Sequence, residues 1–323
     1  MKIDKLANTI DLVGVGLNAT DTVIALDRYP AQGAKLEFND LRVLPGGQVA
    51  STVAACQQWG LTTRYIGKLG DDAAAELHRR EFARLGVDAK LIAVPYCSSR
   101  QSVILVDGDG ERTVLWRRDQ RQNLHPNELR REWIESARVL HLDGYDMAAA
   151  TLAASWARAA GIPVVADLDE LYPGIDDLLA LTDYAIVSRD FPLRLTGEPT
   201  LEAALQTMQR RYQAKLTAAT LGHDGALAWD GQQFCYSSAF RVPVADTTGA
   251  GDIFHAGFIY ALLQGWPLQR QLDFSGAAAA LNCTAIGARG GIRPVQEIEA
   301  LMLHAERHPA IQSYAEVTQG SSD

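Results

Sequence analysis

The chain has 323 residues, 47% hydrophobic and 21% charged, the composition of an ordinary globular protein and not of a disordered or fibrous one. Thirty basic against 39 acidic residues leave a net charge of −9, which disfavours nucleic-acid binding. Cys56, Cys97, Cys235 and Cys283 lie far apart with no Cys-x-x-Cys pair, so neither a zinc motif nor a disulfide framework is expected, and reduced thiols in a cytoplasmic protein are. Asp4, Lys5 and Asp11 interrupt any apolar run near the start, so no signal peptide is expected. The charge-free stretch 253–269 contains His255, Gly257, Gly265 and Pro267 and is too short to span a bilayer.

In chain order, residues 10–16 form a short apolar, β-branched run ending at glycine, which predicts a buried strand. Between 20 and 42, Val23-Ile24-Ala25-Leu26, Tyr29-Pro30, Gly33 and Leu36-Glu37-Phe38 predict short strands joined by turns. Pro45-Gly46-Gly47 precede an alanine-rich helix over 49–59, stopped by Gly60. A strand over 63–67 and a helix over 71–85 follow, the helix with an acidic first turn and Gly86 at its end. Two β runs, 101–106 and 112–116, flank Asp107-Gly108-Asp109-Gly110, a hairpin signal. Beyond them, strand patterns at 139–142, 164–167, 184–187 and 216–221 alternate with helical ones such as 148–160 and 202–212. This rhythm predicts a mostly parallel sheet covered on both faces. One α/β domain over 1–317 is expected, with β segments outside the main sheet and a disordered tail at 318–323.

The strongest local signal is Asp246-Thr247-Thr248-Gly249-Ala250-Gly251-Asp252, followed at once by a helix over 253–264 that stops at Gly265 and Pro267. Small residues at 249–251 let a backbone approach a ligand. The first turn of a helix adds unpaired N–H groups and a partial positive charge, so together they make an anion site. Asp252 inside that turn also suits the helix N-terminus on its own account. Two other patterns lead nowhere. Gly14-Val15-Gly16-Leu17-Asn18-Ala19 fits a dinucleotide fingerprint, yet strand-like sequence follows where a helix is required. Gly67-Lys68 lacks the rest of a Walker A loop. His255 reads as a packing or polar-edge residue, and no histidines pair at metal-ligand spacing.

The heptad at 246–252 resembles the C-terminal signature of the ribokinase family, also called the PfkB carbohydrate kinases. The resemblance extends over nearly the whole chain. It takes in Asp21 in a strand-like lid, Gly46-Gly47, Gly67-Lys68-Leu69-Gly70-Asp71 and the Thr-Leu-Gly-x-x-Gly turn at 220–225, in the family's order. The layout is closest to ketohexokinases and fructokinases, as in Val187-Ser188-Arg189-Asp190. The resemblance implies a three-layer αβα ribokinase-like fold with a small β-sheet lid from about 18–45 and 98–118. It implies an ATP-dependent kinase that phosphorylates a primary hydroxyl of a small sugar such as ribose, fructose or another ketose. Nucleosides, phosphosugars and sugar acids are the alternative acceptors, and Arg117 and Arg118 keep a phosphosugar open. A catalytically weak sugar- or nucleotide-binding protein is the reading from another class.

The same resemblance assigns roles. Asp252 becomes the general base, and the N–H groups of Gly249, Ala250 and Gly251 form the anion hole for the transferring phosphoryl group. Asp246 and Thr248 match positions that hold a monovalent cation such as K+. Asp21 grips sugar hydroxyls, Gly46 and Gly47 turn beneath the sugar, and Gln48, Ser51 and Arg112 approach it. Ser51 stands where the family usually has Asn. Ser188, Thr220, Gly222 and Gly225 match the ATP loops, and Gly276 and Ala279 leave room for adenine. The family's Asn-x-x-Glu reads Ser188-Arg189-Asp190-Phe191 here, so Asp190 takes over the link to Mg2+ through water. Sugar and ATP are the implied partners, with a homodimer formed through the lid and no nucleic acid or membrane.

Overall fold

The computed structural model describes residues 10–108, 112–117 and 119–310. The expected tail at 318–323, the hairpin tip at Asp109, Gly110 and Glu111, Arg118, and the interrupting charges Asp4 and Lys5 lie outside the described residues.

The chain opens with β1 (Ile10–Val15), β2 (Ala19–Ala25), β3 (Asp40–Gly46), α1 (Gln48–Gln58), β4 (Thr63–Leu69), α2 (Ala73–Leu85) and β5 (Asp88–Ala93). The hairpin β6 (Gln101–Val106) and β7 (Arg112–Arg117) follows, then α3 (Arg131–Glu135), β8 (Ala137–Asp143), α4 (Met147–Ala159), β9 (Val164–Leu168) and α5 (Ile175–Leu179). The remainder is β10 (Tyr184–Ser188), α6 (Phe191–Thr196), α7 (Leu201–Tyr212), β11 (Leu216–Thr220), β12 (Ala226–Trp229), β13 (Phe234–Ser237), α8 (Ala250–Gln264), α9 (Leu268–Asn282) and α10 (Val295–His304).

Nine strands form one sheet in the order β13-β12-β11-β10-β9-β8-β1-β4-β5. The run from β11 to β5 is parallel, and β12 and β13 add an antiparallel edge. Neighbouring residues of β1 serve opposite faces. Leu12 packs with Val53, Phe258 and Phe274 under α1, α8 and α9, whereas Val13 and Val15 pack with Ala153 and Met208 under α4 and α7. Both faces are therefore covered, as the alternation of strands and helices predicts. The expected strands and the helices at 49–59, 71–85, 148–160 and 202–212 are present within a few residues. The helix α2 is capped as its sequence suggests, with Asp72 Oδ1 accepting from Ala75 N at 2.9 Å and Gly86 left-handed at φ 75°.

A second, smaller sheet, β3-β2-β6-β7, is separate from the large one and is built from the segments expected to form a lid. Its small core of Val23, Ile104 and Val106 packs against Leu44 and Ile286, so the lid rests on the loop after α9. The parallel strands of the large sheet carry polar side chains where they end: Asp143 on β8, Asp167 on β9, Ser188 on β10 and Thr220 on β11. Ligands of open α/β sheets bind at that edge.

Candidate active site

The small sheet carries the residues expected on the acceptor side. Asp21 on β2 is 5% exposed and accepts a hydrogen bond from Ser102 Oγ on the neighbouring β6. Burial raises its carboxyl above the usual range, against the pull of Ser102, Arg289 and Arg112. The turn below needs its two glycines for different reasons. A Cβ on Gly46 would lie 1.9 Å from Asp21 Oδ2, and one on Gly47, at φ +94°, would lie 2.4 Å from Asn18 Cα. Gln48 Nε2 donates to Asp169 Oδ2 at 3.2 Å, which ties the turn to the end of β9. Ser51 is buried, and its Oγ accepts from Arg289 Nε at 3.1 Å. Arg289 also donates to the Gly46 carbonyl at 2.8 Å and pairs with Glu81 of α2. It therefore braces the underside of the glycine turn.

The helix α8 carries the residues expected on the reacting side, and it begins at Ala250, three residues before the expected start. Gly249 precedes it in the left-handed region at φ 76°, and a Cβ there would lie 2.3 Å from the Ala288 carbonyl. A Cβ on Gly251 would meet nothing within 4 Å, which leaves the space over the first turn clear. Asp252 is half-covered in that turn. Burial and the nearby Asp167 push its carboxyl up to about 7, and His255 and Arg112 oppose the shift. The same group feels Asp21 from the lid. Arg112 thus acts from an exposed position on β7 upon both carboxylates.

Three residues to which no chemical role was assigned from the sequence support this turn. His255 is buried, with Nδ1 2.8 Å from the Gly251 carbonyl and Nε2 3.2 Å from that of Ile186 on β10. It lies between the start of α8 and the sheet, in keeping with the packing or polar-edge residue expected. Asp167 Oδ2 lies 3.5 Å from His255 Nδ1, and burial with Asp169 and Asp143 beside it raises its carboxyl well above the usual range. Asp143 accepts from Leu17 N at 2.7 Å and Tyr145 N at 3.0 Å, and burial still lifts it to about 7. Such a cluster of raised carboxylates at strand ends is characteristic of a functional site.

A cavity of about 250 Å³ reaches from Ala250 and Gly251 outward along Thr220, Gly222, Gly225, Gly276 and Ala279. The structure brings these residues together from three separate stretches of chain. Gly225, at φ 99°, could not carry a Cβ, which would lie 2.0 Å from the Ser237 carbonyl. A Cβ on Gly276 would meet only Phe240, at 3.9 Å, so this glycine serves open space and not tight helix packing. Phe240, His223 and His308 complete the wall, the two imidazoles with ring centroids 6.2 Å apart. No local motif marks them. Ser188 lies at the end of β10, its Oγ bonded to the Asp169 carbonyl at 3.3 Å, and Asp190 is exposed just before α6. Neither lines this cavity.

Asp246 is fully buried and bridges two loops. Its Oδ1 accepts from Thr248 N and its Oδ2 from Gly287 N, each at 2.8 Å. Arg117 sits at the far end of β7 and lines a separate hollow with Arg100 and Trp116.

A family model described as "pfkB family carbohydrate kinase" matches residues 11–294. The chain is 28% identical over 272 residues to an ATP-dependent ribose-1-phosphate kinase of Halopiger xanaduensis, covering 83% of this chain and 90% of that one. It is 26% identical over 296 residues to a ribokinase of Bacillus subtilis, covering 89% and 98%. The solved structure of a ribokinase candidate from Agrobacterium tumefaciens superposes with a TM-score of 0.85 at 26% identity, covering 91% and 98%.

Proposed function

Because the chain belongs to the pfkB family of carbohydrate kinases and has the ribokinase-like α/β fold, we propose that it transfers the γ-phosphate of ATP to a primary hydroxyl of a small sugar of the ribose, fructose or ketose class. The observation that carries this reading is a convergence. Asp252 is acted on by Asp21 and Arg112 from the lid, while Ala250 and Gly251 beside it line the nucleotide cavity.

In this reading Asp21 accepts hydrogen bonds from sugar hydroxyls above the Gly46-Gly47 turn, within reach of Gln48, Ser51 and Arg112. Asp252 takes the proton of the attacking hydroxyl. A carboxylate raised toward neutrality is better matched to that task than an ordinary one. The N–H groups of Gly249, Ala250 and Gly251 stabilise the charge on the transferring phosphoryl group, and closure of the lid excludes water. The base of ATP lies between Gly276, Ala279 and the Phe240 wall, with Thr220, Gly222 and Gly225 along its edge.

No group of three or more side chains among the described residues would hold a metal ion by itself, so Mg2+ would come with the phosphates and meet the protein at a few carboxylates. Asp167 and Asp169 offer hard oxygen ligands whose mutual repulsion a cation would relieve, with Asp190 reached through water. It would supply charge neutralisation between the phosphates. K+ fits poorly between the two loops that would hold it, because Asn282 Nδ2 already sits 3.2 Å from the carbonyls of both Thr248 and Ala288.

One observation favours a second acceptor class. Arg112 acts on two carboxylates yet closes an ion pair with neither among the described residues, which suits a phosphosugar. The name of the Halopiger relative is consistent with that. The lid also supports a homodimer, since all six residues of the edge strand β7 are exposed, Leu115 and Trp116 among them. No helix among the described residues is long and apolar enough to cross a membrane, and the proposed site of action is the cytoplasm.

ADP release measured with ribose, fructose, ribose 1-phosphate, a nucleoside and a sugar acid tests the reading, with phosphorus NMR to locate the new ester. Sugar-dependent release with a primary phosphate ester supports it. Tight sugar and ATP binding without turnover would assign the chain to binding proteins instead.

A further inference from the structure

The place that the family resemblance gives to a monovalent cation is cross-linked by one side chain. Asn282, the last residue of α9, is fully buried. Its Nδ2 donates to the carbonyls of Thr248 and Ala288, each at 3.2 Å, and its Oδ1 accepts from Gly291 N at 3.2 Å. This set of partners also fixes which end of the amide is nitrogen, because two carbonyls require a donor and an N–H requires an acceptor. Asp246 completes the cross-link with its two accepted hydrogen bonds, one inside the 246–248 turn and one to Gly287.

A cation in such a place would work by drawing carbonyl and carboxylate oxygens of the two loops together, replacing its hydration shell with them. Here four of those oxygens already have N–H partners: two on Asp246 and the carbonyls of Thr248 and Ala288. Thr248 Oγ1 is the one buried oxygen of this set left without a partner among the described residues. Each of the four paired oxygens keeps a second lone pair, but the Asn282 Nδ2, 3.2 Å from both carbonyls, occupies the space between them that a shared cation would need. The cross-link matters because Gly249, whose backbone abuts Ala288, is the first residue of the anion hole.

We infer that the Asn282 amide does the structural work of a monovalent cation in this chain, and that the kinase does not depend on K+ for activity or stability. The inference concerns the regulation of the proposed kinase site and rests on that reading for its activity arm only.

The test compares K+, Na+ and tetramethylammonium chlorides at one ionic strength, reading both the melting temperature and acceptor-dependent ADP release. The wild type is expected to melt at the same temperature in all three and to keep its rate within about twofold, since only screening is then in play. Asn282→Ala, which frees both carbonyls, is expected to lose about tenfold or more in rate through misplacement of the anion hole. K+ should restore part of that loss. A melting temperature or rate of the wild type raised specifically by K+ overturns the inference. If Asn282→Ala does not fold, Asn282→Ser is used, and the wild-type comparison decides regardless. Absence of turnover in every salt counts against the kinase reading, and the melting arm still decides this one.

Discussion

Thr52 Oγ1 donates to the backbone carbonyl of Asp252 at 2.9 Å, joining two residues 200 positions apart. Thr52 lies on α1, one turn beyond the Gly46-Gly47 turn, and Asp252 lies in the first turn of α8. The acceptor side and the proposed base are thus held by one hydroxyl, with Cys56 Sγ and the Ala256 carbonyl, 3.6 Å apart, one turn further on. Thr52→Val keeps the shape and removes the donor; the Asp252 carbonyl keeps its place in the helical ladder of α8, so the loss is that of one added hydrogen bond, about 0.5–1.5 kcal/mol. The variant should melt lower and lose several-fold in kcat with little change in KM for ATP. Thermal denaturation with steady-state kinetics checks this, and an unchanged kcat would show that the bond is structural only.

The raised carboxyl of Asp252 sets a pH dependence. A base must be deprotonated to act, so kcat/KM should rise with pH and level off above about 7. The stability effect has the opposite sign. Between the ordinary value of 3.8 and about 7 the folded protein binds more protons at this site than the unfolded chain, so stability falls as pH rises through that window. Asp252→Asn removes the penalty. Its melting temperature should therefore exceed that of the wild type above neutrality and approach it in mild acid. Equal differences at both pH values would contradict the assignment.

Gly47→Ala tests the acceptor turn. The residue would have to adopt φ +94° with its Cβ 2.4 Å from Asn18 Cα, and neither strain can be relieved by a side-chain rotation. A destabilisation of about 1–3 kcal/mol is expected. The acceptor KM should rise well above that of the wild type while ATP affinity, measured by calorimetry, holds.

In the nucleotide cavity the expectation is reversed. Gly276 has room for a side chain, so Gly276→Leu should fold normally and obstruct the base, raising KM for ATP. His308→Ala should raise it by about tenfold through lost stacking, with the acceptor KM unchanged. Normal ATP affinity in both variants would place the base elsewhere.

What could be read from the sequence follows from where each function is encoded. The turn from Asp246 to Asp252 was legible because contiguous small residues before a helix lie within one short stretch. The lid was legible because residues 20–42 carry strand and turn signals where a parallel sheet would need a helix. Arg289 was not legible, since its role is set by Ser51, Gly46 and Glu81, each more than 200 residues away. Thr52, Asp167 and Asn282 are hidden for the same reason. The strand β5 escaped notice because Asp88 and Lys90 break its apolar pattern, and β12 and β13 because each is four residues long.

The central claim is that Asp252 removes the proton of the acceptor hydroxyl in the phosphoryl-transfer step. Single-turnover transfer from bound ATP to a working acceptor, compared between the wild type and Asp252→Asn, tests it most directly. The account predicts that the variant binds ATP and acceptor with affinities close to those of the wild type and loses transfer by a factor of about 100 or more. A variant that binds both and transfers phosphate at the wild-type rate would contradict it.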